Sequence, residues 1–230
     1  RKACPAGPLP HWAWHPSADP RGVPARRMRT PPFRFLDAPE VFPLVDGELE
    51  LVEPALRHVE AMLAACHDPL TKRDMPQQAA TTRESLMGFL ERHPRGQVQE
   101  DLRHQIVPGY TFWMRFVDGY AAPVRMAGSI GLRLGRTPAN ELYDGHLGYH
   151  VLPPARGRHL AERACRLLLP LARAHGYCTL WITCNPDNLA SRRTCERLGA
   201  VLVDTVVVPA DNPLYQQGDR HKCRYRIDLA

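Results

Sequence analysis

The feature that most constrains the fold is a strand, a stiff loop, a long helix and a second strand in direct succession. Residues 147–152 predict the first strand, and Pro153 and Pro154 stiffen the loop after it. Apolar side chains recur at helical spacing over 158–175, and 178–183 is a short apolar run typical of a buried strand. Such a crossover sets two strands in one sheet that helices cover.

Periodicity predicts further elements on both sides of this crossover. Helices are predicted at 54–65, 82–92 and 188–198, and strands at 49–52, 110–116, 126–134, 201–208 and 223–229. Pro170 lies inside the long helix and is expected to kink or shorten it. The order of these elements predicts an α/β or α+β domain around a mixed sheet.

Residues 1–43 form a Pro/Arg-rich segment that contains ten of the 23 prolines and no periodic apolar face. A segment of this kind buries too little apolar surface to offset the entropy of ordering. We therefore predict a largely disordered N-terminal arm, followed by one folded domain over 44–230. Met28 is a candidate start of the native chain.

Charge and cysteine content narrow the function classes. The formal net charge is +6, carried almost entirely by arginine, but no basic and aromatic residues alternate as a nucleic-acid surface requires. No apolar run approaches the roughly 18 residues of a membrane span, and no secretory signal is visible, so a cytoplasmic protein is expected. The seven cysteines are scattered without a CxxC pair, which argues against a disulfide framework and a metal site.

The loop after the first crossover strand has the chemistry of an anion site. A helix start exposes backbone N–H groups, and the helix dipole favours negative charge there. Gly157 lets a ligand approach the backbone, and Arg156 and Arg158 add positive charge. The alternative is an ordinary strand-to-helix turn with surface arginines.

Two sequence blocks resemble the GNAT acetyltransferase superfamily. Residues 156–161 are similar to the family's Arg/Gln-x-x-Gly-x-Gly/Ala pyrophosphate loop, with His159 where glycine is usual. Residues 188–199 are similar to its Asn-x-x-Ser helix, with Cys195 at the usual tyrosine position. The segments 145–149 and 224–229 resemble uncharacterised bacterial members most closely.

The resemblance implies a GNAT-like fold, with a mostly antiparallel sheet whose central strands splay to form an acyl-CoA cleft. It implies transfer of an acetyl group from acetyl-CoA to a primary amine by direct attack, without a metal. It also implies a small-molecule or peptide amine as acceptor, and the family often forms homodimers. The residues that would bind the cofactor are Tyr149, Val151, Leu152, Arg156, Gly157, Arg158, His159, Leu160, Ala161, Asn185, Asn188 and Ser191.

Catalysis requires a donor to the thioester oxygen, a base for the amine and an acid for the leaving thiolate. The resemblance nominates a backbone amide near Val151 as the donor. His146, His150 and Glu141 are the candidate bases, each of which could instead be a polar residue at a sheet edge. Cys195 is the candidate acid, with a buried spectator thiol as the alternative.

Two other functions stay open at this point. One is a non-catalytic acyl-CoA-binding regulatory module, which the departures at His159 and Cys195 favour. The other is an unrelated nucleotide-phosphate-binding domain, which requires the second block to be accidental.

Overall fold

The computed structural model describes residues 33–37, 44–101 and 106–229; most of the predicted arm, 1–32 and 38–43, lies outside them. The strands in this part are β1 Val45–Asp46, β2 Leu49–Val52, β3 Gln97–Val98, β4 Gly109–Phe116, β5 Met126–Arg133, β6 Leu147–Val151, β7 Thr179–Cys184, β8 Val201–Val207 and β9 His221–Asp228. The α-helices are α1 Val59–Cys66, α2 Pro69–Asp74, α3 Pro76–Ala79, α4 Arg83–Arg92, α5 Leu160–Ala174, α6 Leu189–Arg197 and α7 Pro213–Gln216.

The strands form two sheets that meet beside β6. The first has the order β1-β2-β4-β5-β6, with β3 paired to β4, and every pairing in it is antiparallel. The second has the order β7-β9-β8 and is also antiparallel. The helix α5 connects β6 to β7, as predicted, but the two strands lie in different sheets rather than in one. The mostly antiparallel sheet flanked by helices is therefore confirmed.

Each face of the first sheet buries its own cluster of apolar side chains. On one face Phe112 and Leu132 pack with Leu168 of α5, and this core continues under the second sheet. On the other face Trp113 packs with Met62 of α1 and with neighbouring residues. Alternation along β4 sends successive side chains to opposite cores, which is why that strand is apolar apart from Thr111 and Arg115.

The two sheets are joined at a narrow apex, beyond which β6 and β7 separate. The backbone N–H of His146 donates to the Trp181 carbonyl (2.6 Å), and the N–H of Trp181 donates to His146 Nδ1 (2.9 Å). Gly145 has φ 69°, and a Cβ there would lie 2.9 Å from the backbone nitrogen of Thr183. Only glycine allows this close approach. The predicted splay of the central strands is confirmed.

Helix α5 runs through Pro170, so the predicted shortening of this helix is wrong. Proline removes one backbone donor and normally interrupts a helix. Here Leu168, Leu171 and Ala172 are fully buried around the proline. Burial of this apolar face outweighs the lost hydrogen bond, because packing supplies most of the stability of a helix in a protein.

The short described piece of the predicted arm, 33–37, packs on the domain. The N–H of Leu36 donates to the Tyr110 hydroxyl (2.7 Å). Phe35 meets the Tyr110 ring edge-on, and Asp37 pairs with Arg95 (2.6 Å). The folded unit thus includes residues upstream of the predicted boundary at 44.

Candidate active site

The separation of β6 and β7 leaves a cleft with a cavity of about 320 Å³. Its walls come from β5, β6, β7, α6 and the segment that enters β9. The lining residues are Arg133, Asp144, Leu147, Gly148, Tyr149, Thr183, Cys184, Asn185, Asn188, Ser191, Asp219 and Lys222. Four of the predicted cofactor residues, Tyr149, Asn185, Asn188 and Ser191, are therefore brought together here.

The register of β5 and β6 shows which backbone groups of β6 face the cleft. Arg133 N–H donates to the His146 carbonyl (2.7 Å), and Leu152 N–H donates to the Ala127 carbonyl (2.8 Å). Alternate residues of an antiparallel strand point their amides to opposite sides. The N–H groups of Tyr149 and Val151 therefore point away from β5, toward the cleft. This edge offers the donor that a developing oxyanion needs.

The loop between β6 and α5 has two residues in the left-handed region. Gly157 has φ 83°, with no atom within 4 Å of a hypothetical Cβ. His159 has φ 54° and directly precedes α5. The first intrahelical hydrogen bond of α5 runs from Arg163 N–H to the His159 carbonyl (3.1 Å), so the preceding N–H groups at the helix start have no partner within the helix. The loop is shaped as an anion site.

Arginine side chains surround this loop. Arg156 is exposed and donates to the Val151 carbonyl (3.2 Å). Arg158 donates to the Tyr120 hydroxyl (2.6 Å) and lies over the rings of Tyr120 and Phe116. Arg197 of α6 contacts His159 Nδ1. These cations add to the field of the helix start, which favours a polyanionic ligand.

Tyr149 brings a hydroxyl from β6 across the cleft to α6. Its oxygen lies 2.9 Å from Ser191 Oγ, and Cys195 lies nearby. Burial raises the pKa of Tyr149 well above its usual range, so the hydroxyl keeps its proton. The side chain of Asn188 caps α6 by accepting from Ser191 N–H (3.0 Å), which fixes the position of the serine.

Cys195 is fully buried and is not among the cavity-lining residues. A hydrogen bond with Cys184 and burial raise the pKa of Cys195 far above its usual range. The pKa of Cys184 falls to about 7, first because of the hydrogen bond from Cys195 and further because of Ser191 and the charges of Lys222 and Arg192. Cys195 therefore does not present its proton to the cleft, whereas Tyr149 and Ser191 present hydroxyls.

A polar network lines the cavity beside the end of β7 and the start of β9. Asn185 donates to Asp219 Oδ1 (2.5 Å) and accepts from Lys222 Nζ (2.7 Å). Lys222 also pairs with Asp219 at 2.6 Å, and the side chains of both residues are largely buried. The side-chain amide of Asn185 is therefore engaged by Asp219 and Lys222. These contacts fix the positions of one negative and one positive charge in the cavity wall.

His146 holds the apex of the cleft together. Its Nδ1 accepts from Trp181 N–H, and its ring meets Tyr177 edge-on. Burial, followed by the charge of Arg133, lowers the pKa of His146 to about 4. The lone pair that a base would use is already engaged, so the geometry gives His146 a structural role at the junction of the two sheets.

The two other candidate bases lie in different places. His150 is half-buried and its Nδ1 lies 3.1 Å from Ser129 Oγ, on the face of β6 opposite Tyr149. Glu141 belongs to the π-helical turn Asn140–Asp144 and lines a second cavity of about 250 Å³ on the other side of the apex. The structure does not bring the two together.

Two predicted cofactor residues have buried side chains. Leu152 is fully buried against α1, and its N–H is used by Ala127. Leu160 is buried in the core under α5, so only its backbone can face a ligand. Arg133, Asp144, Cys184, Asp219 and Lys222 also line the cavity and were not predicted from the sequence.

The acetyltransferase (GNAT) domain family matches residues 48–201, which is more than half of the chain. The chain belongs to the GNAT acetyltransferase family. The predicted family and enzyme class, an acyl-CoA-dependent acetyltransferase, are confirmed. This membership excludes the unrelated nucleotide-phosphate-binding domain. A search of curated proteins finds no match.

Solved structures share the GNAT fold at low sequence identity. The microcin C7 self-immunity acetyltransferase MccE, in complex with acetyl-CoA and AMP, has a TM-score of 0.56 and 16% identity, covering 80% of this chain and 94% of that one. RimL, a ribosomal L7/L12 alpha-N-protein acetyltransferase in complex with coenzyme A, has a TM-score of 0.55 and 20% identity over 82% and 98%. A GNAT-family acetyltransferase from Bacillus anthracis has a TM-score of 0.53 and 14% identity over 81% and 98%.

The described residues offer neither a membrane span nor a cluster of metal ligands. None of their helices combines the length and apolar character that a membrane span requires. They also contain no group of three or more His, Cys, Asp or Glu side chains arranged to hold a metal ion.

Proposed function

We propose that this GNAT protein transfers an acetyl group from acetyl-CoA to a primary amine by direct attack within the cleft between β6 and β7. The observation that carries the proposal is the alignment of two features along one strand. The anion loop at 156–159 follows the end of β6, and the outward N–H groups of Tyr149 and Val151 lie along the same strand. One extended ligand with a polyanionic end and an acyl end fits this arrangement.

The residues present fit acetyl-CoA. Gly157 leaves open space where a Cβ would stand, and Arg156 and Arg158 supply positive charge beside the start of α5. These three residues and the helix-start amides would hold the pyrophosphate. When bound, acetyl-CoA supplies the acyl group in an activated thioester form.

The protein's own groups account for the remaining requirements. The amides of Tyr149 and Val151 are positioned along the cleft to donate to an oxyanion. The hydroxyls of Tyr149 and Ser191, 2.9 Å apart, form a chain that can deliver a proton to a departing thiolate. Tyr149 thereby compensates for Cys195, since its hydroxyl reaches that cysteine from the opposite wall. This removes the main support for a non-catalytic module.

The acceptor enters as a small-molecule or peptide amine. Asp144 and Asp219 line the cavity and can attract a cationic amine. Arg133 and Lys222 also line it and limit the net negative potential of the cavity. His150 is the candidate base that remains on β6, since His146 is engaged at the apex and Glu141 lines the other cavity.

The test uses the full chain in two steps. Acetyl-CoA and coenzyme A should each raise the melting temperature, because a ligand that binds only the folded state stabilises it, and ATP should do so much less. A panel of amines is then incubated with acetyl-CoA and the release of free thiol is measured. Thiol release that depends on an amine supports transfer, and the lack of any thermal shift with millimolar acetyl-CoA would overturn the proposal.

A further inference from the structure

The turn between β4 and β5, residues 117–125, presents an aromatic ring to solvent beside the anion loop. Tyr120 lies in this turn and is 39% exposed. One face of its ring stacks on the fully buried Phe116, with 5.5 Å between the ring centroids and 22° between the planes. The core therefore holds the ring in place and leaves its opposite face open, as the stacking of a planar ligand requires.

Arg158 connects this ring to the anion loop. Its guanidinium donates to the Tyr120 hydroxyl (2.6 Å) and lies 5.6 Å from the centroids of both the Tyr120 and the Phe116 rings. Within the part of the chain that the structure describes, Arg158 forms no salt bridge, whereas Arg163 of α5 pairs with Glu48 (2.7 Å). An uncharged aromatic ring thus positions the charge of Arg158, which stays available to an anionic ligand.

The register of the first sheet places the turn at the end of β6 where the anion loop begins. Gly128, near the start of β5, pairs with Val151, the last residue of β6. The other edge of β6 faces the cleft, where Tyr149 reaches Ser191 of α6 (2.9 Å). The anion loop therefore stands between the cleft, which the proposed function gives to the thioester end of the ligand, and the ring of Tyr120.

We propose that the open face of Tyr120 binds the adenine base of coenzyme A and acetyl-CoA, with Arg158 between this base and the pyrophosphate. The inference rests on the proposed function, because it takes the pyrophosphate to lie at residues 156–159. One ribose separates the adenine from the pyrophosphate, and one arginine side chain separates Tyr120 from the loop, so the spacing suits the ligand. Stacking of the base on the ring and the charge of Arg158 beside the ligand phosphates stabilise the complex.

This stacking site makes Tyr120 a specificity-determining residue for the acyl donor. An acyl group on phosphopantetheine alone, whether free or attached to a carrier protein, has no adenine and would be held only by the loop and the cleft. Aromatic stacking accepts any flat base, so the selection depends on the presence of a base rather than on its identity. The protein is thereby matched to free acetyl-CoA rather than to carrier-bound acyl groups.

The experiment measures the affinity of the full chain for a series of ligands by isothermal titration calorimetry, with displacement of coenzyme A for the weaker ones. The ligands are coenzyme A, dephospho-coenzyme A, which lacks the ribose phosphate, and phosphopantetheine, which lacks the whole adenosine portion. The variants are Tyr120→Ala, Tyr120→Phe and Arg158→Met. Tyr215→Ala is the matched control, because the guanidinium carbon of Arg220 lies 3.8 Å from the centroid of that ring, between β8 and β9 rather than beside the loop.

The expected result is a loss that depends on the base. Tyr120→Ala should weaken coenzyme A and dephospho-coenzyme A alike, by about 5- to 150-fold, and should change phosphopantetheine affinity by less than about twofold. Tyr120→Phe keeps the ring and should bind coenzyme A within about threefold of the parent chain. Arg158→Met should weaken all three ligands, because each carries a phosphate at the loop. Tyr215→Ala should bind all three as the parent chain does.

Four results would overturn the inference and leave the proposed function standing, since coenzyme A still binds in each. These are an unchanged coenzyme A affinity in Tyr120→Ala, an equal loss for phosphopantetheine in that variant, an equal loss in Tyr120→Phe, and an equal loss in Tyr215→Ala. If the parent chain binds none of the ligands, both proposals are overturned. Circular dichroism checks the fold, and Tyr120→Leu, which keeps an apolar cover on Phe116, replaces the alanine variant if that variant unfolds.

Discussion

The two ends of the cleft are built by different means. At the loop end, residues 153–159, the anion site depends on backbone conformation, a glycine and the start of one helix. At the apex end, side chains from several elements converge, including Tyr149 of β6, Cys184 of β7 and Ser191 of α6. A contiguous stretch of chain therefore forms the loop end, whereas the apex end forms only when the two sheets pack together.

The largest expected effect is a loss of stability at low pH that originates at the apex. The pKa of His146 is about 4 in the folded protein, below its ordinary value of 6.5, so protonation favours the unfolded chain. Stability is therefore present above pH 6.5 and is lost as the pH falls toward 4, by about 3 kcal/mol from this residue. Chemical denaturation at several pH values measures this loss.

A substitution isolates the contribution of His146. His146→Asn should lower stability at pH 7.5, where the neutral histidine is favourable, and should flatten the loss between pH 6.5 and 4. His58→Asn is the control: burial also lowers the pKa of His58, but that residue is remote from the apex. An unchanged slope in His146→Asn would contradict the role of this residue as the junction between the sheets.

The next largest expected effect is a loss of acetyl-CoA affinity when the loop end is changed. Gly157→Val places a branched side chain at φ 83°, which the backbone tolerates poorly, and fills the open space of the anion site. We expect acetyl-CoA affinity to fall by about 30-fold or more, because the branched side chain occupies the space through which the ligand would approach the loop backbone. Isothermal titration measures the affinity.

Gly176→Val is a matched control for that substitution. Gly176 has φ 77°, also has open space at a Cβ position, and lies past the other end of α5. Both variants should lose similar stability, and only Gly157→Val should lose affinity for acetyl-CoA. Equal affinity losses would mean that strain in α5, rather than the anion loop, accounts for the effect.

The third prediction returns to the apex end. Tyr149→Phe removes the hydroxyl shared with Ser191 and Cys195 but keeps the ring. If this hydroxyl helps to protonate the leaving thiolate, kcat should fall by about 10- to 100-fold, with little change in KM for acetyl-CoA. Tyr110→Phe is the control, because that buried hydroxyl bonds His175 (2.9 Å) away from the cavity. A fall in both variants alike would argue for a general loss of stability.

The smallest effect concerns the residue that departs from the family's loop. His159 has φ 54°, a conformation that costs a side-chain-bearing residue about 1 kcal/mol and costs glycine little. His159→Gly should therefore raise the free energy of unfolding by up to about 1 kcal/mol and leave acetyl-CoA affinity equal or better. Denaturant titration measures the free energy of unfolding, and isothermal titration calorimetry measures the affinity for acetyl-CoA. Loss of binding with the fold intact would identify His159 as a ligand contact.

The two ends of the cleft also differ in how far the sequence predicts them. The turn before α5 and the helix after Asn188 lie where the sequence predicts them, because each depends on neighbours within a few residues. The roles of His146 and Cys195 were not resolved, because a histidine on a strand and a cysteine on a helix carry no local sign of their distant partners. Asp219 and Lys222 gave no signal, since their contact with Asn185 spans more than 30 residues of chain.

The sequence by itself determined the crossover, the loop before α5 and the family, because hydrophobic period, glycine and proline act on the backbone over short distances. Only the tertiary structure decided that His146 holds the apex, that Tyr149 supplies a hydroxyl beside Cys195, and that Cys184 borders the cavity. These depend on which side chains are left without water when the two sheets join. Burial and partner charges then set their pKa values, and neither quantity exists until the chain is folded.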